Sequence, residues 1–124
     1  MTDITPAPLT VSKTASSVIT QHYGVKLNSS EGIDQCGLTA DVTFGIAQNS
    51  GVTGDAIDVA PVNGGGSSYV ILGGTIASAA LVRIHTDGKA AADLASAFNI
   101  GVMEQGGAVG ELGVVRLGNL TVKA

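Results

Sequence analysis

Apolar and polar residues alternate in short runs along most of the chain, and glycine, asparagine and aspartate interrupt the runs. Four runs place one charged residue between two apolar residues: Val25-Lys26-Leu27, Ile57-Asp58-Val59, Val82-Arg83-Ile84 and Val115-Arg116-Leu117. A period of two with one polar face is typical of a half-buried antiparallel strand. Short strands separated by turn residues predict an all-β fold, either a small β-barrel or a β-sandwich.

Ten segments are predicted to be strands: 17–22, 25–27, 33–36, 43–47, 56–60, 69–72, 81–85, 100–104, 113–117 and 120–123. One segment, 90–98, has a different character. It is rich in alanine, and Leu94 and Phe98 are spaced as neighbours on a helix face. This segment is interpreted either as one short helix or as an irregular connection.

Residues 1–16 are predicted to be an extended N-terminal arm, followed by a β-rich domain over residues 17–124. Pro6 and Pro8 fix their own backbone angles and bias the residues before them towards extended conformations. No helix or packed strand is expected in this arm, which could become ordered on a partner. The first residues carry neither a basic nor an apolar segment, so no secretory signal is expected.

An internal repeat relates the two parts of the domain. Glycines recur at a spacing of 56 positions, and an acidic residue follows the last glycine of each turn. The matched turn residues are Gly51, Gly54 and Asp55 in the first copy and Gly107, Gly110 and Glu111 in the second. Glycine permits a positive φ in such turns, and a carboxylate can accept backbone N–H groups there. The repeat therefore predicts two similar halves around one core.

The composition indicates an aliphatic core and argues against nucleic acid as a partner. Hydrophobic residues make up 44% of the 124 residues and aromatic residues only 3%. The net charge is −4, and the six basic residues are scattered, whereas nucleic-acid binding needs clustered basic residues. No apolar run approaches the ~18 residues of a membrane span. Because charged residues are only 13%, part of the apolar surface is predicted to lie in an oligomer.

Residues that could carry chemistry are few. His22 and His85 are the only histidines and Cys36 is the only cysteine, so no metal site or other cofactor is expected. Cys36 is interpreted as a buried, unreactive thiol. Asp55 and Glu111 could be drawn as an acid–base pair, but their equivalent turn positions favour a structural role. The sequence thus predicts a protein that is not an enzyme.

The order of turns and apolar steps resembles that of the small capsid decoration (cement) proteins of tailed bacteriophages. The matching segments span about residues 18 to 118: Val25-Lys26-Leu27, Gly45-Ile46-Ala47, 51–55, Ile57-Asp58-Val59, Gly73-Gly74-Thr75-Ile76, Asp87-Gly88-Lys89, Gly101-Val102-Met103 and 107–111. The long Thr/Ser/Pro arm departs from the commonest pattern of this family.

The resemblance implies a non-enzymatic structural protein of the virion, made in the host cytoplasm and located on the capsid exterior. It implies a homotrimer that binds the major capsid protein and stabilises the capsid by cementing neighbouring subunits, with no membrane or nucleic acid as partner. The arm is the candidate capsid-binding segment, through Thr5, Pro6, Ala7, Pro8, Leu9, Thr10 and Val11. Two alternatives remain open: docking by a loop face of the domain, and a β-rich adhesion or fibre-tip module that binds a host surface ligand.

Overall fold

The computed structural model describes residues 9–37, 41–85, 87–92 and 99–118. These residues contain strands and turns but no helix, which confirms the all-β prediction. The strands within them are β1 Val11–Thr14, β2 Gly24–Leu27, β3 Ile33–Gln35, β4 Gly45–Ala47, β5 Ala56–Pro61, β6 Ser67–Ile71, β7 Leu81–Ile84, β8 Ala90–Ala92, β9 Asn99–Gln105 and β10 Leu112–Leu117.

The strands form two five-stranded antiparallel sheets, ordered β1-β5-β4-β2-β3 and β6-β10-β9-β7-β8. Adding five to each strand number of the first sheet gives the order of the second. The two sheets pack as a sandwich and do not close into a barrel. We call β1–β5 the first half and β6–β10 the second half. The prediction of two similar halves is confirmed.

The two halves correspond residue by residue. Gly45 pairs with Pro61 in the first sheet, and Gly101 pairs with Leu117 in the second, at a spacing of 56. In β1 to β3 the spacing is 57 instead, because eight residues separate Ala92 from Gly101, whereas nine separate the equivalent Gln35 from Gly45. Even isolated bridges recur, since Ile19–Gly51 matches Ile76–Gly107. We call residues related in this way equivalent.

The prediction that residues 1–16 contain no packed strand is wrong in one part. Val11–Thr14 forms β1, which pairs with β5 at the edge of the first sheet. An edge strand has a partner on one side only, so it needs less apolar character than a central strand. Because Ser12 and Thr14 are polar, the sequence of β1 lacks the apolar alternation that predicts a strand. Segment 17–22 is not a strand and contributes only the Ile19 bridge. Segment 120–123 lies outside the described residues.

The first three residues of the segment 90–98, for which a helix was one of two interpretations, form a strand and not a helix. Ala90–Ala92 is β8, which pairs with β7 in the same register that joins β3 to β2. Alanine favours a helix, but the repeat places an edge strand here, and tertiary pairing overrides a weak local preference. Residues 93–98 lie outside the described residues.

Buried aliphatic side chains form two clusters and not the one core that the repeat predicted, because each half encloses its own interior. One lies inside the first half and includes Ile19, Val25, Ile33, Ile57 and Val59. The other contains the equivalent interior of the second half, together with four residues that the first half contributes: Cys36, Ile46, Ala60 and Val62. The second cluster therefore holds the two halves together.

The two glycine turns have the same geometry. The Asp55 carboxylate accepts the backbone N–H of Val52 (2.8 Å), and the Glu111 carboxylate accepts that of Ala108 (2.6 Å). Gly54 and Gly110 have positive φ angles of 95° and 84°. Gly51, by contrast, does not have a positive φ. Glycine is required there because a Cβ would lie only 2.8 Å from Ile57 Cδ1. Each acidic side chain thus acts within its own turn.

We expect Gly54→Ala and Gly110→Ala each to lower the free energy of unfolding by about 1–2 kcal/mol, because a Cβ is disfavoured at positive φ. Contacts with other parts of the chain do not contribute, since nothing there lies within 4 Å of a Cβ built at either glycine. Urea denaturation measures the change as a shift of the midpoint at constant slope.

Gly74→Ala is the matched control, because its Cβ also meets nothing and its φ is not positive. This variant should leave the free energy of unfolding unchanged or slightly raised. Unequal losses at Gly54 and Gly110 would contradict the equivalence of the two turns.

Candidate interaction surfaces

Reactive groups are sparse in the part of the chain that the structure describes. Within those residues, no three His, Cys, Asp or Glu side chains are grouped so that they could hold a metal ion. Cys36 is buried 3.7 Å from the Thr43 hydroxyl, and burial raises the pKa of its thiol to about 11. The thiol therefore stays protonated at neutral pH. None of the described segments forms a helix long and apolar enough to cross a membrane.

The candidate capsid-binding arm is only partly within the described residues. Thr5, Pro6, Ala7 and Pro8 lie outside them. Leu9 and Thr10 are exposed and lead into β1, where Val11 pairs with Val59. The end of the arm is therefore part of the first sheet. Among the described strands only β5 pairs along β1, while Ala15, directly after β1, bridges Ile33 of β3.

The tip of each glycine turn presents an apolar side chain to solvent. Val52 is 58% exposed and Val109 is 64% exposed. The carboxylate hydrogen bonds described above hold both turns in a defined conformation. These turn tips are the described loops that best fit the alternative of docking by a loop face.

The contact between the two halves is built from hydrogen bonds of different kinds. Gly24 donates its backbone N–H to Gly88 O (2.8 Å), and Ile71 donates its own to His22 O (3.2 Å). The Gln48 side-chain amide donates to the Ser68 hydroxyl (2.9 Å). We call this surface the internal contact.

Close packing accompanies these hydrogen bonds. A Cβ at Gly24 would lie 2.6 Å from Ile84 Cγ1, so only glycine lets β2 approach the second half this closely. The His22 and Tyr69 rings meet edge to face, with centroids 5.6 Å apart. His22 is thus a titratable group at the internal contact, and burial lowers its pKa.

The residues that the structure describes also line two surface grooves. The first, of about 420 Å³, is lined by apolar residues of the first half that include Leu27, Val42 and Phe44. The second, of about 390 Å³, belongs to the second half. It is lined by Val102, Glu104, Arg116, Leu117 and Gly118. Arg116 Nε lies 3.2 Å from Glu104 Oε1, so this second groove carries an ion pair.

The internal contact and the two grooves were not predicted from the sequence. A signal for them was present in the repeat, however. Ala60 of the first half is equivalent to Arg116 of the second, and Val62 is equivalent to Gly118. Where one copy has an apolar residue and the equivalent position of the other copy has a polar residue or glycine, the difference indicates a face that is covered in only one half.

The chain matches no protein-family model and no curated protein. It is similar in structure to the head fiber gp8.5 N base of bacteriophage phi29, with a TM-score of 0.72 and 16% sequence identity. The match covers 94% of this chain and 98% of the phage chain. This likeness shows the fold over nearly the whole length of both chains.

We expect stability to fall as the pH drops below 6.5. Burial holds the pKa of His22 below its ordinary value of 6.5 in the folded chain, so the unfolded chain binds the proton more readily. The contribution of neutral, buried His22 to the free energy of unfolding is therefore complete above pH 6.5. It is lost as the pH falls from 6.5 towards the lowered pKa of the folded chain.

His22→Asn should remove this component, because asparagine does not titrate and tolerates the positive φ of 69° found here. Urea midpoints at pH 7 and pH 5 measure the difference, and His85→Asn serves as a control that keeps His22. An equal pH dependence in wild type and His22→Asn would contradict the assignment.

Proposed function

We propose that this protein is a non-enzymatic structural component of a bacteriophage virion. In this role it binds the outer surface of the capsid as a homotrimer and cements neighbouring subunits of the major capsid protein. The observation that carries the proposal is the structural likeness to a bacteriophage head fiber base along 94% of the chain. The resemblance of its turns and apolar steps to capsid decoration proteins points to the same class of protein.

The described surface supports a role that depends on contacts. Its exposed apolar side chains include Val52 and Val109 on the constrained turns and Leu27 and Val42 beside the first groove. The thiol of Cys36 is buried and protonated. A cementing protein has to bridge subunits so that their separation breaks several contacts together. A trimer offers three such contacts, and each one formed raises the effective concentration for the next.

A second candidate function is an adhesion or fibre-tip module that binds a host surface ligand. The structural neighbour is named as a part of a head fiber, and this observation favours the alternative. The two functions differ in partner, since one requires the capsid and the other requires the host cell.

Sedimentation separates the two functions. The purified protein is mixed with capsids of the phage that encodes it, from which it has been removed, and separately with host cells. We expect it to pellet with capsids at a fixed ratio and to stay in the supernatant with cells. Pelleting with cells alone would overturn the cementing role in favour of adhesion.

We expect removal of residues 1–8 to leave the fold intact and to weaken capsid binding more than about tenfold, because proline-stiffened segments lose little entropy on docking. The cut must stop before β1, since deleting residues 1–15 would also remove the strand that covers the edge of β5. Far-ultraviolet circular dichroism checks the fold, and capsid co-sedimentation measures the binding.

The matched comparison is the double variant Val52→Asp, Val109→Asp, which alters both exposed turn tips and keeps the arm. If the arm docks, this double variant should bind capsids as the full chain does. If the truncated chain binds normally and the tip variant does not, the loop face docks on the capsid and the arm does not.

A further inference from the structure

The internal contact joins two different faces. The first half contributes a front face: His22, Gly24, Ile46, Gln48, Ala60 and Val62. The second half contributes a back face: Ser68, Tyr69, Ile71, Ile84 and Gly88. No position of one face is equivalent to a position of the other. The contact is therefore heterologous, and it uses only one of the two front faces and one of the two back faces that the repeat creates.

The unused front face lies on the second half. Its residues are Ala79, Leu81, Val102, Glu104, Arg116 and Gly118, which are equivalent in turn to the six front-face residues above. Ile46 and Ala60 are fully buried, whereas Val102 is half-buried and Arg116 is exposed. The second groove runs along this free front face.

The unused back face lies on the first half. It consists of Val11, Ser12, Thr14, Leu27 and Glu31, the equivalents of the five back-face residues. Leu27 is 49% exposed, whereas its equivalent Ile84 is 4% exposed. Val11, Ser12, Thr14 and Glu31 are exposed as well. The chain thus presents a free back face and a free front face on different halves.

We propose that the free front face of one chain packs on the free back face of a second copy of this chain, in the manner of the internal contact. The outer edge of β1 of the next copy then occupies the second groove, with Val11 as an apolar anchor. Leu27 of that copy packs beside the groove against Leu81, as Ile84 packs against Gly24 in the internal contact. Repetition of a heterologous contact closes a ring when the rotation between copies permits it. A ring of three chains would explain the homotrimer of the proposed function, but the contact itself does not depend on a capsid.

Backbone geometry prepares both free faces for this contact. In the internal contact His22 offers its carbonyl from a backbone with φ 69°, and its equivalent Ala79 has φ 74°. Gly88 offers its carbonyl at φ 83°, and its equivalent Glu31 has φ 67°. Ala79 and Glu31 are not glycines, so each holds a disfavoured conformation on a face that is free in the single chain.

The hydrogen bonds of the internal contact can therefore be repeated between chains. Ala79 O of one copy would accept from Thr14 N of the next, as His22 O accepts from Ile71 N. Because donors alternate along an antiparallel edge strand and Ala15 N is bonded to Asp55 O, the N–H of Thr14 is directed away from β5. It is available to a neighbouring copy.

The contact between chains is expected to be weaker than the internal one. Arg116 and Glu104 stand where the internal contact has Ala60 and Gln48, so the interface between chains carries an ion pair. Leu81 replaces Gly24, which keeps the strands further apart at that point. Interfaces that separate reversibly are more polar than the core of a chain, and this difference fits a contact between copies.

The first test is a cross-link between copies of the full chain. The double variant Thr14→Cys, Ala79→Cys places one thiol on each free face, and the buried Cys36 needs no change. We expect disulfide-linked oligomers on a non-reducing gel after mild oxidation. The control pair Thr14→Cys, Val109→Cys keeps one thiol and moves the other to a turn tip outside both faces, and it should give far less linked product.

The second test is loss of association. Leu27→Asp should raise the dissociation constant between chains at least about tenfold, because it places a charge at the position where the equivalent Ile84 packs against the opposite face in the internal contact. Leu112→Asp is the matched control, since Leu112 is also a strand leucine, is 44% exposed and lies outside both free faces. Sedimentation equilibrium at matched concentrations measures both variants, and circular dichroism checks their folding.

Interchain cross-linking by the first pair, together with dissociation by Leu27→Asp alone, would support the contact. Equal cross-linking by both pairs, equal effects of the two aspartates, or a wild-type chain that stays monomeric at all concentrations would overturn it. Capsid co-sedimentation is a separate measurement. A chain that associates through these faces but ignores capsids would leave this inference intact and refute the cementing role.

Discussion

The burial of Ile46, Ala60 and Val62 against the second half is the interaction on which the rest of the structure depends. These side chains do not belong to the cluster inside the first half, and they are shielded from water because the second half covers them. Burying apolar side chains is the main favourable contribution to folding. The two halves consequently share one buried cluster, in which the front face of the first half packs against the back face of the second.

The same contact explains why two equivalent halves carry different residues on equivalent faces. A face that is covered within the chain must be apolar and closely fitted, as Gly24 shows by admitting Ile84. Its free equivalent must remain compatible with water, and there Arg116 and Glu104 form an ion pair. The differences between the copies are thus concentrated where their surroundings differ.

Where the surroundings of the two halves are the same, the geometry is kept although residues change. Asp55 and Glu111 differ by one methylene, yet each accepts a backbone N–H three residues earlier in its own turn. Gly54 and Gly110 supply the positive φ that closes the turn. These hydrogen bonds constrain the two turns, which limits the conformational entropy that docking at their tips would cost.

The sequence alone determined the fold class and the internal repeat. Alternation such as Val25-Lys26-Leu27 reports a strand because side-chain direction has a period of two, and glycines repeated at a fixed spacing report equivalent turns. Both signals can be recognised in the linear sequence, because neither depends on which strands pair or which faces pack together. The same spacing located Asp55 and Glu111 at equivalent positions of the two turns.

Only the tertiary structure decided the edge strands and the direction of the internal contact. β1 is mostly polar and β8 consists of alanines, so neither shows the apolar–polar alternation of a strand. Each is a strand because it forms backbone hydrogen bonds with a neighbouring strand. In the same way, Leu27 and Ile84 occupy equivalent strand positions, and nothing near them in the sequence tells which one is covered. That depends on which half packs against which, and this packing joins residues that are far apart along the chain.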